Sequence, residues 1–186
     1  MKKIKSRAIF LFLVMVMTYG ISAQAPYRHS IGITVGAYEN ISLTYKTFFT
    51  DHLAFQLDFG YKYSIGFSRL CGRAEAIGYY SVDLNPNLMY ESHFTKGLFG
   101  FVGGGGIIGP SWDWDNYEMW RYDPKWLREY IKFGVNCIFG LEYKFKIPLT
   151  LQFDLRAGYS CRFATIHPFD DHLFDWNANF GIRYAF

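Results

Sequence analysis

After residue 28, apolar and polar residues alternate with a period of two, which predicts an all-β chain folded as an eight-stranded antiparallel up-and-down barrel. Two further observations make the prediction a transmembrane β-barrel. The apolar face of the strands carries no Asp, Glu, Lys or Arg, and short connections alternate with longer ones along the chain.

The strands follow in order. The first two run roughly from Ser30 to Ala37 and from Ile41 to Phe49. The third is the clearest: Leu53, Phe55, Leu57, Phe59, Tyr61 and Tyr63 alternate with Ala54, Gln56, Asp58, Gly60 and Lys62. The fourth spans Arg73 to Glu91 and contains Pro86, which removes one ladder hydrogen bond, so a bulge or kink is expected there. The fifth, Leu98 to Ile108, carries Gly103 to Gly106. No helix or Lys-Ser/Thr follows these glycines, so they are not a phosphate cradle; they predict tight curvature or room for a bulky neighbour inside the barrel. In the sixth, Ile131, Phe133, Val135, Cys137, Phe139, Leu141 and Tyr143 share one face. In the seventh, Leu149, Leu151, Phe153, Leu155 and Tyr159 do so, and in the eighth Phe174, Trp176, Phe180, Ile182, Tyr184 and Phe186. Strands of about ten residues suit a tilted membrane-spanning strand of ~9–11. Short turns fall at Thr50-Asp51-His52, Thr95-Lys96-Gly97 and Lys146-Ile147-Pro148. On the other side a short turn near Glu39-Asn40 accompanies longer stretches at Ser64–Gly72, Pro110–Tyr130 and Cys161–Leu173. Short turns on one side are the periplasmic signature of outer-membrane barrels.

Volume and charge orient the faces. An eight-stranded barrel has room only for its own inward side chains, and a face of Phe, Tyr, Leu and Trp would overfill it. A charge on that face would cost ~2–4 kcal/mol at the bilayer midplane, and none is present. The apolar face is therefore expected to meet lipid. Tyr61, Tyr63, Tyr80 and Tyr159 fall near the long-loop ends, and Tyr45, Tyr90, Tyr143 and Tyr184 near the short-turn ends, as two interfacial belts. The inward face collects Lys46, Lys62, Arg73, Lys132, Lys144, Arg156 and Arg183 against Asp58, Glu75, Asp83, Glu91, Glu142, Asp154 and Asp175. Equal numbers of each sign in a narrow interior predict a closed, charge-paired lumen rather than a selective pore.

Composition fits. Of the chain, 51% is hydrophobic and 21% aromatic, heavy for a soluble domain, yet no apolar run is long enough for a spanning helix. Lys2, Lys3, Lys5 and Arg7 followed by the apolar Ala8–Met17 predict a signal peptide over residues 1–25, cleaved after Ala23 or Ala25, with the barrel at 26–186. No Cys follows the cleavage region, which argues against a lipid anchor. The net charge of +3 comes largely from that leader, so the mature chain is near neutral and nucleic acid is excluded as a partner. Cys71, Cys137 and Cys161 are odd in number and form no disulfide framework, although Cys71 and Cys161 could pair if their loops meet.

Functional candidates lie in the loops. Trp112, Trp114, Trp120 and Trp126, interleaved with Asp113 and Asp115, could hold a carbohydrate, a protein partner or outer-leaflet glycolipid, or could pack on themselves over the mouth. His167 and His172, with Asp170, Asp171 and Asp175, match no metal-ligand spacing, and no metal is expected. Ser160, His167 and Asp170 stand at the right height for acyl chemistry on lipid A, but no acyltransferase or deacylase motif surrounds them.

The stretches ISLTYKTFFTD, FQLDFGYKY, GLFGFVGGGGIIG, FGLEYKFKIPLTLQFDLRAGY and WNANFGIRYAF resemble small OmpA/OmpX-like outer-membrane barrels of the "porin family" type, in order and over nearly all of the mature chain. The resemblance implies eight strands, no cofactor and commonly no assigned molecular activity; the family's name is not evidence of a pore. It also implies that Tyr184 and Phe186 form the C-terminal signal read by the outer-membrane assembly machinery. The expected partners are that machinery, outer-membrane lipid with lipopolysaccharide, and a surface protein or carbohydrate. The expected role is a non-enzymatic envelope or surface contact, against two rivals: a lipid A-modifying enzyme and a narrow channel.

Overall fold

The computed structural model describes residues 27–37, 40–70, 73–113, 130–164 and 171–186, with the side chains of all of these except 64–70, 73–78, 113, 164, 171 and 172. The leader, Cys71, Trp114, Trp120, Trp126, His167 and Asp170 lie outside the described residues, as do the side chains of Arg73, Glu75 and His172.

Eight antiparallel strands form the wall: β1 (His29–Gly36), β2 (Asn40–Phe48), β3 (Leu53–Leu70), β4 (Arg73–Thr95), β5 (Leu98–Asp113), β6 (Tyr130–Lys144), β7 (Leu149–Ala164) and β8 (Asp171–Ala185). Each pairs with its sequence neighbour, and β1 pairs with β8 to close the barrel. Followed round the ladders, Glu91 faces Phe101, then Gly140, Asp154, Asn179, Gly36 and Asn40. One step beyond the Ile41↔Tyr61 pair, this path returns to β3 at Lys62, ten residues from His52, whose carbonyl accepts the Glu91 N–H. Ten residues of displacement over eight strands, at ~3.3 Å per residue and ~4.8 Å between strands, tilts the strands by ~40° and gives a backbone radius of ~8 Å. That interior fits side chains and little else.

Alternation decides which side chains enter it. Val135 is 64% exposed and its neighbour Asn136 only 7%, and the same contrast runs along β8 between Trp176, 57% exposed, and Asn177, 3%. Among the described side chains, the large exposed hydrophobics of the strands belong to the outer wall and the buried ionic groups to the lumen, while Phe49, Ile147 and Phe186 are exposed just beyond the strand ends.

Two aromatic levels bound the outer wall. At the upper level the Tyr80 ring lies 5.5 Å from Tyr61, 5.0 Å from Tyr63 and 6.4 Å from Trp112. At the lower level His29 stacks near Tyr45, His52 near Tyr90, and Tyr184 near Phe186. Along β8, Tyr184 and Phe174 are ten residues apart. At ~3.3 Å per residue and ~40° of tilt this separation is ~25 Å of height, the apolar band of an outer-membrane barrel.

The wall departs from expectation in three ways. The strands continue past the predicted loop boundaries: β3 reaches Leu70, β5 reaches Asp113, β7 reaches Ala164 and β8 begins at Asp171. Trp112 therefore sits in a strand opposite Tyr80, as part of the upper aromatic level rather than of a loop, and His172 stands in β8 opposite Cys161. Secondly, of the bulge or kink expected at Pro86, the bulge is absent. Leu57 faces Pro86 in normal register, and pairing with β5 lapses between Leu84↔Ile108 and Asn87↔Gly105 before resuming unshifted; the register shift of β4 lies lower, between His93 and Thr95. Pro86 points outward beside Gly106, where an added Cβ would still be 3.8 Å from its ring, so the lost N–H is absorbed without an extra residue. Thirdly, above β1 and β2, which keep their expected lengths of 8 and 9 residues, β3 meets β8 directly at Phe67↔Phe174.

The glycine run supplies room, as expected. A Cβ at Gly103 would lie 2.8 Å from Met89 Cγ, and one at Gly105 would lie 2.5 Å from Asn87 Oδ1 and 2.0 Å from the Pro86 carbonyl oxygen. Met89 and Asn87, both buried, occupy the space those missing side chains leave.

Candidate functional site

The polar interior gathers most of the chemistry the described residues offer. Six carboxylates (Asp58, Asp83, Glu91, Glu142, Asp154 and Asp175) face the lumen with Lys46, Lys62, Lys132, Arg156, Arg162 and Arg183. The balance read from the sequence therefore holds among the described side chains, with two changes. Lys144 turns toward the lower rim, where its Nζ donates to the carbonyls of Phe145 and Ile147. Arg162, beyond the predicted end of its strand, is fully buried with its guanidinium 5.2 Å from the Tyr79 ring and 4.5 Å from the Tyr130 ring. The alternation of Cys161, Arg162 and Phe163 was the signal for it.

The lower cluster is held by β2, β4, β6 and β8. Lys46 pairs with Glu91 and, at 2.6 Å, with Glu142, and Glu142 also receives Arg183. The Tyr27 hydroxyl donates to Glu142 Oε1 at 2.6 Å, and its ring packs edge-on against Phe48 at 5.2 Å. Burial pushes the Tyr27 hydroxyl well above its usual range, with the Glu142 charge adding to the effect, so it remains a donor. Tyr27, Phe48, Ala54, Met89, Phe101, Ile138 and Ala185 form one apolar cluster at the lower end of the lumen. Sequence reasoning missed Tyr27 because it precedes the first strand.

Gln56 joins this cluster to the next. Its Oε1 accepts from Arg183 at 3.0 Å, and its Nε2 donates to Asp58 at 3.0 Å. Arg156 then bridges Asp58 at 2.8 Å and Asp154 at 2.7 Å, while Asn179 and Gln152 donate to Asp154 at 2.8 and 2.6 Å. A continuous bonded path thus runs from Tyr27 to Asp154. Higher up, Lys62 and the Tyr79 hydroxyl both reach Asp175, at 2.9 and 3.0 Å. Lys132 donates to Asp83 at 2.5 Å and to Ser81 at 3.1 Å. Tyr79, Tyr130, Leu173 and Arg162 are all buried at the upper end of the described lumen. Buried charges that pair and hydrogen-bond in this way offset their desolvation cost, which an open ionic channel would not require.

The other candidates separate. Ser160 is 2% exposed, so it lies inside the wall and away from lipid. Cys137 is exposed on the outer face of β6, and Cys161 is on the outer face of β7 between Phe133 and His172 in register. Tyr184 and Phe186 are both exposed at the lower rim, where Phe186 exchanges backbone hydrogen bonds with His29 at 2.8 and 3.0 Å. Among the described residues no group of three or more His, Cys, Asp or Glu is placed to hold a metal.

No family model matches the chain, and no curated protein does. Two solved structures share its fold. Neisserial surface protein A (NspA) superposes with a TM-score of 0.55 at 10% identity, over 85% of this chain and 93% of that one. The N-terminal β-barrel domain of Pseudomonas aeruginosa OprF gives 0.54 at 14% identity, over 89% and 100%. The chain therefore has the fold of small eight-stranded outer-membrane barrels, at identities that carry the architecture and nothing finer.

Proposed function

We propose that this chain resides in a bacterial outer membrane as a non-enzymatic envelope or surface-contact protein with a closed, charge-paired lumen. One observation carries the reading: polarity is inverted, with uncharged aromatic and aliphatic side chains outside and paired ionic ones inside. Such a cylinder is stable only where its surroundings are hydrocarbon. The fold shared with NspA and OprF supports the location.

The contact role is supported by where the chain projects. β3 spans 18 residues, and its pairing with β4 runs without a break from Leu53↔Tyr90 to Leu70↔Arg73. At ~3.3 Å per residue and ~40° of tilt that is ~45 Å of height, ~20 Å more than the apolar band. The barrel thus offers a raised β3–β4 wall as the part free to meet a partner.

Two assays separate this from its rivals. Purified barrel reconstituted in planar bilayers should show no single-channel conductance above the bare membrane. Lipid A extracted from cells with and without the protein should give the same mass spectrum. Steady conductance steps would replace the reading with a narrow channel. A changed acyl pattern would replace it with an enzyme, although Ser160 faces the wrong way for outer-leaflet chemistry.

A further inference from the structure

The lower rim carries an excess of cations. Its described basic side chains are Arg28, Lys96, Lys144 and Lys146, and its one described acid is Asp51. The excess is local. The lumen charges balance, and the stretches 114–129 and 165–170, which join strands at the opposite end, hold five carboxylates against three Lys or Arg. Three of the four rim cations gather at one corner. Gly97 closes the β4–β5 turn at a φ of 85°, and its carbonyl accepts the Lys144 N–H at 2.7 Å, which lays Lys96 beside the β6–β7 turn. A Cβ at Gly97 would lie 2.7 Å from the Lys144 carbonyl oxygen and 3.4 Å from the Tyr143 ring, so glycine is what lets the two turns approach. Lys144 is committed to holding its own turn, donating to the carbonyls of Phe145 and Ile147. Lys96 and Lys146 are exposed and have no counter-ion among the described residues.

The same corner is apolar on its membrane side. Tyr143 is exposed on the wall with the Phe145 ring edge-on at 4.8 Å, Phe94 lies over Gly100, and Ile147 is 60% exposed in the turn itself. We propose that this corner binds an anionic phospholipid of the leaflet on the short-turn side, its phosphate and headgroup between Lys96 and Lys146 and its chains against Tyr143, Phe94 and Ile147. The proposal rests on the outer-membrane reading above and adds a headgroup charge and a place to it. Two kinds of surface meet here, and only a lipid of this class satisfies both. A water-soluble polyanion would neutralise the lysines and leave Phe94 and Ile147 in water. A zwitterionic lipid would cover the apolar side chains but bring an ammonium of its own toward the two lysines. Lysine stems can lie along the apolar surface while their ammonium groups stay at headgroup level, which suits residues at the foot of the wall.

The test is native mass spectrometry of the folded barrel released from mixed micelles containing equal amounts of phosphatidylglycerol and phosphatidylcholine. Retained phosphatidylglycerol should exceed phosphatidylcholine several-fold. In Lys96→Gln/Lys146→Gln the two lipids should be retained about equally, whereas Arg28→Gln, which removes a rim cation beside β2 instead, should keep the preference. Both lysines are exposed, and migration of the unheated form on a gel verifies that each variant is folded. Parity in the unaltered barrel overturns the proposal, as does a preference that survives the double substitution. An equal loss in Arg28→Gln makes the preference a property of total charge and overturns the assigned corner. Soluble peptidoglycan fragments retained as strongly as phosphatidylglycerol would assign the lysines to the cell wall and overturn the lipid. Failure of the barrel to float with lipid vesicles in a sucrose gradient would remove the membrane reading itself, whereas parity in a barrel that does float removes only this site.

Discussion

Replacing Glu142 by Gln perturbs the lower cluster at its most connected member. Glu142 accepts from Lys46, Arg183 and Tyr27, and with Glu91 it balances the two cations. All of these groups except Tyr27 are at most 2% exposed, so solvent cannot replace the lost charge. Breaking a buried pair by removing one partner costs ~3–5 kcal/mol. Lys46 keeps Glu91 and Arg183 keeps the Gln56 oxygen, which places the expected loss near the lower end, ~3 kcal/mol. With a slope of ~2 kcal/mol per molar urea, the unfolding midpoint should fall by ~1.5 M. The assay is urea titration of the barrel in vesicles, read by tryptophan fluorescence and by the faster gel migration of the unheated folded form. Adding Arg183→Met to Glu142→Gln restores neutrality and should recover at least half of the loss, because the two changes remove one pair together. The reasoning is refuted if the single change moves the midpoint by less than ~0.5 M, or if the second substitution deepens the loss instead of reversing it.

Three more outcomes follow from the wall. Phe139 lies on the outer face of β6 between Tyr143 at the lower level and Phe133 near the upper one, so Phe139→Arg should cost ~2–4 kcal/mol and Tyr143→Arg only ~0–1, by the same titration. Gly105→Ala should lose ~1–3 kcal/mol or fail to fold, since its Cβ would lie 2.0 Å from a backbone oxygen, whereas the Cβ of Gly106→Ala makes only ordinary van der Waals contacts, 3.8 Å from the Pro86 ring, and that variant should fold normally, as judged by gel migration. In a background with Cys71 and Cys161 changed to Ser, Cys137 in intact vesicles should react with an apolar maleimide and resist a sulfonated one, since it is exposed on the lipid-facing wall. Reaction with the charged reagent would place that face in water.

Much of the barrel could be read from the chain because membrane and lumen each impose a rule with a period of two. Leu53 to Tyr63 obeys it without exception, and the lumen charges Lys46, Asp58, Glu91, Glu142, Asp154 and Arg183 all lie where the alternation puts them. The failures came where the rule weakens. Above the upper aromatic level the outer face no longer needs to be apolar, so the strand around Trp112 and the extension of β3 past Tyr63 looked like loop. Pro86 suggested a bulge because its missing N–H is visible in sequence, while the open space over Gly106 that accommodates its ring is not. Which cation meets which carboxylate was illegible too. Arg156 and Asp58 are separated by 98 positions and Lys62 and Asp175 by 113, and only the closed register brings them together.

The same two rules explain why the proposed contact role is harder to read than the scaffold. Hydrocarbon fixes the outer wall and a ~8 Å radius fixes the interior, so neither surface is free to encode recognition. The rim above the aromatic level is constrained by neither, and there the barrel is lopsided. β1 and β2, at 8 and 9 residues, stop at the height of the upper tyrosines, while β3 and β4, at 18 and 23, continue well above them. Where the short hairpin ends, Phe67 of β3 pairs with Phe174 of β8, so the wall narrows from eight strands toward six without losing closure. A partner approaching from outside would meet a tall face on the β3–β5 side and a low edge above β1–β2. Recognition built on such a rim would depend on the shape of one side, not on a periodic pattern, which is why composition and alternation do not identify a partner.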